Sequence, residues 1–303
     1  MKRLLIMALL IAVALPAGAA AAGRPVTDEM GRVVNIPENP RRIIGLIASL
    51  TETLYALGLE SRVVGATTWA DYPEAAKKLP RVGSYTAPNL ERIVELAPDL
   101  VLATKEGNPP WVVEKLERAG IPVYVTAPRK VREVPESLAR LGEICGAAGA
   151  GRGLAQRLRR QFDAVEERLR GAPLRSTLLV IGTNPLTSVS QGTLNHELLL
   201  MAHAANVAAQ APGPWPRLSL EFVVQARPQV VIVSTMERRQ DIQGELRYWR
   251  TLPGVGDRPG GRVVAVNSDL IDRPGPRLGE GLLALAKAVH PERFGGPPEG
   301  DRP

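Results

Sequence analysis

Two stretches of this chain are built on the same pattern. NLERIVELAPDLVLA covers Asn89 to Ala103, and SLEFVVQARPQVVIV covers Ser219 to Val233. Each runs Leu-Glu, then apolar residues, then a proline seven positions after the acid, then an apolar run. The acids, Glu91 and Glu221, stand 130 residues apart in a chain of 303. Local physics reads each copy as a short helix feeding a buried strand. Asn89 and Ser219 are good N-cap residues, the glutamate of the first turn meets the positive end of the helix dipole, and Pro98 and Pro228 stop each helix. A pattern that recurs once in each half points to two lobes of similar fold.

The rest of the chain agrees. Val26 to Pro37 reads as a short hairpin with its turn near Met30-Gly31. Apolar runs at 41–48, 62–67, 99–104 and 122–127 then alternate with helical segments at 49–59, 89–97, 111–120 and the stretch VPESLARLGEIC. Ser49 or Thr51 is expected to open the first helix, and Gly58 and Gly120 to close theirs. Near-continuous apolar strands between helices predict a parallel sheet covered on both faces. The alternation stops at GRGLAQRLRRQFDAVEERLR, where Leu154, Leu158, Phe162, Val165 and Leu169 recur at helical spacing. It restarts with a strand expected at 175–184, a helix around 194–204, the second copy of the pattern at 219–233, a strand at 261–269 and a closing helix at 277–290.

The predicted fold class is therefore α/β, two Rossmann-like lobes with parallel-rich sheets joined by one long rigid helix. The expected boundaries are a signal peptide over 1–22, a first lobe over 23–148, a bridging helix over 149–171, a second lobe over 172–294 and a disordered Gly/Pro-rich tail over 295–303. The signal peptide rests on Lys2 and Arg3, the apolar run Leu4–Pro16 and the small residues through Ala22; the run is short for a membrane span. No cysteine follows it to carry a lipid. Localisation in the periplasm is the expectation.

Several function classes are disfavoured. Without Lys2 and Arg3 the formal charge falls from +7 to about +5, spread along the chain with no basic block, so nucleic acid is not an expected partner. Cys145 is the sole cysteine and sits in an apolar helical context, which reads as a buried thiol rather than a nucleophile. No P-loop, nucleophile-elbow or zincin motif occurs, and GAAGAGRG does not follow a strand, so an enzyme is not expected. Three scattered histidines, His196, His203 and His290, do not make a metal site. The paired acids keep two readings: helix starts alone, or a matched pair gripping a two-fold-symmetric basic partner.

Three stretches carry a resemblance: WADYPEAAKKLPRVGSYTAPNLERIVELAPDLVLA, PWPRLSLE and NSDLIDRPGPR. They resemble the substrate-binding proteins of ABC importers whose two lobes are bridged by one helix, and within that class the cobalamin (vitamin B12) binders; relatives bind haem or ferric siderophores. The similarity runs from Arg24 to Phe294. It implies a monomer without intrinsic cofactor that holds a corrinoid, cobalamin, between the lobes and passes it to a dimeric permease with ATPase subunits. It places permease docking on Glu91 and Glu221. It matches Trp69, Tyr85 and Trp215 to aromatic ligand contacts and Asp269 and Arg273 to polar ones, with Leu186 near another. After Ala103 the pattern prefers an aromatic where this chain has Thr104 and Lys105. For the haem or siderophore alternative, the candidates are His196 and His203, read as cap or packing residues, and the arginines Arg81, Arg217 and Arg273. Trp111 and Trp249 read as helix-face or surface residues.

Overall fold

The computed structural model describes residues 23–234, 241–255 and 261–295. The expected signal peptide and the tail from residue 296 lie outside the described residues.

The chain opens with an antiparallel ribbon, β1 (Gly23–Thr27) and β2 (Val33–Pro37). The buried Asp28 carboxylate closes its turn by accepting from the Met30 and Arg32 amides and from the Arg32 guanidinium. The first lobe follows: β3 (Ile43–Gly45), α1 (Ala48–Ala56), β4 (Val63–Ala66), α2 (Leu90–Glu95), β5 (Leu100–Thr104), α3 (Pro110–Arg118), β6 (Val123–Thr126) and α4 (Val134–Ile144). Then comes the 22-residue α5 (Ala148–Leu169). The second lobe holds β7 (Arg175–Val180), the small hairpin β8 (Gly182–Thr183) and β9 (Leu186–Thr187), α6 (Leu194–Met201) and β10 (Ala204–Asn206). It continues with α7 (Leu220–Ala226), β11 (Val230–Ser234), α8 (Ile242–Thr251), β12 (Arg262–Val266), α9 (Ser268–Ile271) and α10 (Leu278–Val289).

Both sheets are parallel and share one topology. The first is ordered β4-β3-β5-β6 and the second β10-β7-β11-β12, so in each the strands stand second, first, third, fourth. The recurring sequence pattern is α2–β5 in one lobe and α7–β11 in the other, the helix and strand at the same topological place. The copies match in detail. The side chains of Asn89 and Ser219 accept from the third residue on, Arg92 and Phe222. Leu100 and Leu102 face one core while Val101 and Ala103 face another; Val230 and Ile232, then Val231 and Val233, do the same. Even the exits agree: Ala97 and Arg227, each before its proline, adopt φ of +41° and +45°, values that few non-glycine residues take.

One apolar cluster runs from the first lobe through α5 to the second. It joins Leu54 and Leu102, then Leu154, Leu158, Phe162, Val165 and Leu169 of the bridging helix, then Ile232 and Leu282. Each sheet has a separate core on its other face, around Ile44 and Val112 in the first lobe and around Val231 and Trp249 in the second. α4 packs backbone to backbone on α5, since a Cβ on Gly142 would meet the Gly151 Cα at 2.6 Å.

Some boundaries differ from expectation. α1 begins at Ala48 with Ile47 as its cap residue and no side-chain cap, and Ser49 and Thr51 lie buried inside it. The strand expected at 41–48 is the three-residue β3, because after Gly45 the chain turns into that helix start. The bridging helix spans 148–169 rather than 149–171, ending before Gly171 at φ +73°. Gly58 and Gly120 close α1 and α3 as expected, in the left-handed region. Trp249 is buried, its indole N–H donating to Glu245 at 2.9 Å.

Candidate functional site

In an open parallel sheet a ligand sits beyond the carboxyl ends of the strands. Segments leaving those ends from both sheets line one cleft of about 640 Å³. The first lobe contributes Ile47 to Ser49 after β3, Thr67 and Trp69 after β4, Thr104 at the end of β5 with Glu106 and Gly107 after it, and Tyr85 from the loop ahead of α2. The second contributes Ile181 after β7, Asn195 of α6, Trp215, and Ser268, Asp269, Asp272, Arg273 and Pro274 after β12.

Three of the expected aromatics stand in this cleft and are solvent-facing: Trp69 at 49%, Tyr85 at 42% and Trp215 at 55% exposure. Each is held by its backbone. Arg81 donates to the carbonyls of Thr67 and Ala70, both at 2.9 Å, pinning the turn that carries Trp69. Buried Asn108 donates to the Tyr85 carbonyl at 2.9 Å and the Leu46 carbonyl at 3.2 Å, and accepts from the Thr104 amide at 2.9 Å. One amide side chain thus ties the Tyr85 loop to the ends of β3 and β5. Around Trp215, the Pro214 and Pro216 carbonyls accept from Ser190 and Ser188 at 3.1 and 3.0 Å.

Leu186 is placed differently from expectation and is not among the cleft-lining residues. It pairs with Thr183, its carbonyl accepts from the Leu218 amide at 3.0 Å, and it packs on the outer core of the second lobe. The strand-like pairing of β8 with β9 gives it a scaffold position beside the Trp215 loop. Arg81 and Arg217 do not line the cleft either, the first being engaged on loop carbonyls and the second sitting on an exposed edge bridged to Thr187.

Asp269 and Arg273 both line the cleft, and they are ion-paired at 2.6 Å. Arg273 also reaches across the lobes, to Glu52 of α1 at 3.0 Å and Asp71 at 3.8 Å. Arg277 grips the same Glu52 with two hydrogen bonds of 2.8 Å and stacks 3.8 Å from the Tyr72 ring. Sequence reasoning did not find this cross-lobe cluster: Glu52 and Arg277 are 225 positions apart.

Asp272 and Asn195 were not foreseen as site residues. Asn195 donates to Asp272 Oδ1 at 2.7 Å, and buried Oδ2 has no hydrogen-bond partner among the described residues. Burial lifts the Asp272 carboxyl to about 6, opposed by the Asn195 hydrogen bond and by Arg273, and assisted by nearby Asp269. Both aspartates lie in NSDLIDRPGPR, and nothing in that stretch marks Asp272 over Asp269. The histidines stand elsewhere. His196 contacts Asn206 at 3.2 Å, and His203 packs edge-on against buried His290, ring centres 6.3 Å apart. Among the described residues no histidine lines the cleft and no group of His, Cys, Asp and Glu is arranged to hold a metal ion.

Glu91 and Glu221 are exposed at the starts of α2 and α7. The Glu221 backbone amide and the Ser219 hydroxyl hold the Glu221 carboxyl below its ordinary range.

The family model described as periplasmic binding protein matches residues 43–254. A vitamin B12-binding protein of Yersinia pestis (strain Pestoides F) is 33% identical over 237 residues, 78% of this chain and 82% of that one. The crystal structure of the periplasmic vitamin B12-binding protein BtuF of Vibrio cholerae superposes with a TM-score of 0.75 at 25% identity, covering 86% of this chain and 100% of that one. A periplasmic haem-binding protein from Pseudomonas aeruginosa superposes with a TM-score of 0.72 at 30% identity, covering 83% and 93%.

Proposed function

The chain belongs to the periplasmic binding protein family, and from that premise we propose that it captures a corrinoid of the cobalamin type between its lobes and delivers it to the permease of an ABC importer. Overall identity does not choose the ligand, since both B12-binding and haem-binding relatives are similar to this chain. The chemistry of the cleft carries the choice. Its polar lining holds three carboxylates, Glu106, Asp269 and Asp272, with amide and hydroxyl groups from Asn195, Ser49, Thr67, Thr104 and Ser268. Among the described residues its one guanidinium, Arg273, already faces carboxylates. Such a surface disfavours the carboxylates of haem. It suits a ligand rimmed with neutral amides, whose N–H groups donate to Asp272 and Glu106.

The aromatic walls supply the rest. Trp69, Tyr85 and Trp215 offer flat apolar faces to a large ring, a large share of binding area at little conformational cost. The start of α1 lines the cleft without a side-chain cap, so its first amides are available to ligand carbonyls. A corrinoid brings its own axial ligands to cobalt and asks none of the protein.

Haem is the second reading, favoured by the 30% identical haem-binding relative and by the Tyr85 hydroxyl as an axial donor. Calorimetric titration of the purified protein with cyanocobalamin, then with hemin, separates the two. One-to-one binding of cyanocobalamin, weakened at least tenfold by Trp215→Ala, is expected by analogy with buried aromatic anchors. Saturable binding of hemin with no heat from cyanocobalamin overturns the corrinoid reading and leaves the fold and the delivery role standing.

A further inference from the structure

We propose that Glu52, which does not line the cleft, sets its charge selectivity by holding Arg273, so that the site takes amide-rimmed ligands over their carboxylate counterparts. This rests on the inter-lobe cleft being the ligand site.

Glu52 lies in the middle of α1 with only 4% exposure. A buried carboxylate is tolerated when it is paired and hydrogen-bonded. Here Oε1 accepts from Arg273 at 3.0 Å and from Arg277 at 2.8 Å, and Oε2 accepts from Arg277 at 2.8 Å. Both arginines come from the opposite lobe. Arg277 is turned away from the cleft, stacked on Tyr72. Arg273 lines the cleft, yet its guanidinium is shared among Glu52, Asp269 at 2.6 Å, Asp71 at 3.8 Å and the Trp69 carbonyl at 3.5 Å. Among the described residues, three carboxylates, Glu52, Asp71 and Asp269, surround these two guanidiniums. Arg273, the one cation of the lining among the described residues, is therefore already engaged by carboxylates before any ligand arrives.

Removing the Glu52 charge reverses this. Glutamine is nearly isosteric, so the packing of α1 is kept. Arg273 then loses the charge of its 3.0 Å acceptor while keeping its place on the cleft wall. Its positive charge, still paired with Asp269, is then less fully compensated and better able to meet an anionic ligand group. Glu52 acts through Arg273 and is a positioning residue, not a ligand contact.

The test compares ligands that differ only in charge. Wild type, Glu52→Gln and Glu52→Asp are titrated with cyanocobalamin and with its monocarboxylic acid, and in parallel with hemin and hemin dimethyl ester. Wild type is expected to prefer the neutral member of each pair it binds. Glu52→Gln is expected to shift that ratio toward the carboxylate by about tenfold, the scale of one charge pair in a half-solvated site. Glu52→Asp, which keeps the charge, should restore the wild-type ratio, and Glu52→Gln with Arg273→Gln should lose the gain. Asp71→Asn leaves the Glu52 clamp intact and should shift the ratio the same way by less, so the test survives a misfolded Glu52 variant. A folded Glu52→Gln protein with the wild-type ratio overturns the proposal, as does a wild type that already favours the carboxylates. If only the haem pair binds, the corrinoid reading fails while the charge ratio still reads Glu52.

Discussion

A buried carboxylate facing a binding cleft makes a prediction about pH that can be signed. Asp272 titrates at about 6 in the folded chain because burial disfavours its ion, whereas an unfolded aspartate titrates near 3.9. Below about pH 4 both states carry the proton and nothing is lost. As pH rises from about 4 to 6 the unfolded chain ionises first, so this residue's contribution to stability falls through that window. Asp272→Asn is therefore expected to melt higher than wild type at pH 7.5, by on the order of 2 kcal/mol, and to match it near pH 4. Thermal melts at the two pH values check this, and an equal difference at both would show that the substitution acts by packing alone. Residue-level features of this kind were the least legible in the sequence. The aromatics stood out because the chain has few, only 4% of residues. Asp272, Asn195 and Asn108 did not, because their roles come from what they touch: Asn108 meets the Tyr85 and Leu46 carbonyls, both distant in sequence. Cys145 was legible, since an apolar helical surrounding predicts a buried thiol, and burial pushes it up to about 12.

Among the elements, the repeat was readable down to the residue because its cues are local: a cap, a first-turn acid, a proline stop and an apolar run. Its copies agree even in the left-handed exits at Ala97 and Arg227, which the sequence did not announce. The start of α1 was not readable, for the opposite reason. Ser49 and Thr51 have the chemistry of caps, but the strand end at Gly45 fixes where the helix begins, and both residues are drawn inside it. The seam between α4 and α5 also depends on tertiary approach. Gly142 lies 2.6 Å, counted from a Cβ it lacks, from the Gly151 Cα, so alanine there strikes backbone that no side-chain rotation can relieve. A helical Gly→Ala change ordinarily gains about 1 kcal/mol, while overpacking costs about 1–3 kcal/mol. Gly142→Ala is expected to destabilise by up to about 2 kcal/mol net. Chemical denaturation reads this directly, and a variant as stable as wild type would mean that the two helices separate without cost.

At the scale of the whole molecule, one apolar cluster passes through the bridging helix into both lobes, and a salt-bridged cluster ties them again at the cleft. A chain held at two places has little freedom to swing open, so the proposed delivery of a ligand would call for a partner that pulls on both lobes. The repeat puts one exposed acid at the same topological site of each lobe, and Glu221 is held ionised by its own helix start. A two-fold-symmetric permease with basic residues facing each lobe would engage both acids at once, and linked contacts of this kind add as avidity. Replacing either glutamate with alanine should therefore weaken coupling to the reconstituted permease by about tenfold, and replacing both by more than either alone. Ligand affinity in solution should be untouched, because neither side chain lines the cleft. The loss should shrink as salt rises, since exposed charges are screened beyond about 10 Å at 0.1 M. The readout is permease ATPase stimulation at several salt concentrations beside calorimetry of the free protein. Full stimulation by the double variant would return both glutamates to the simpler role of starting their helices, where their charge meets the positive end of the helix dipole.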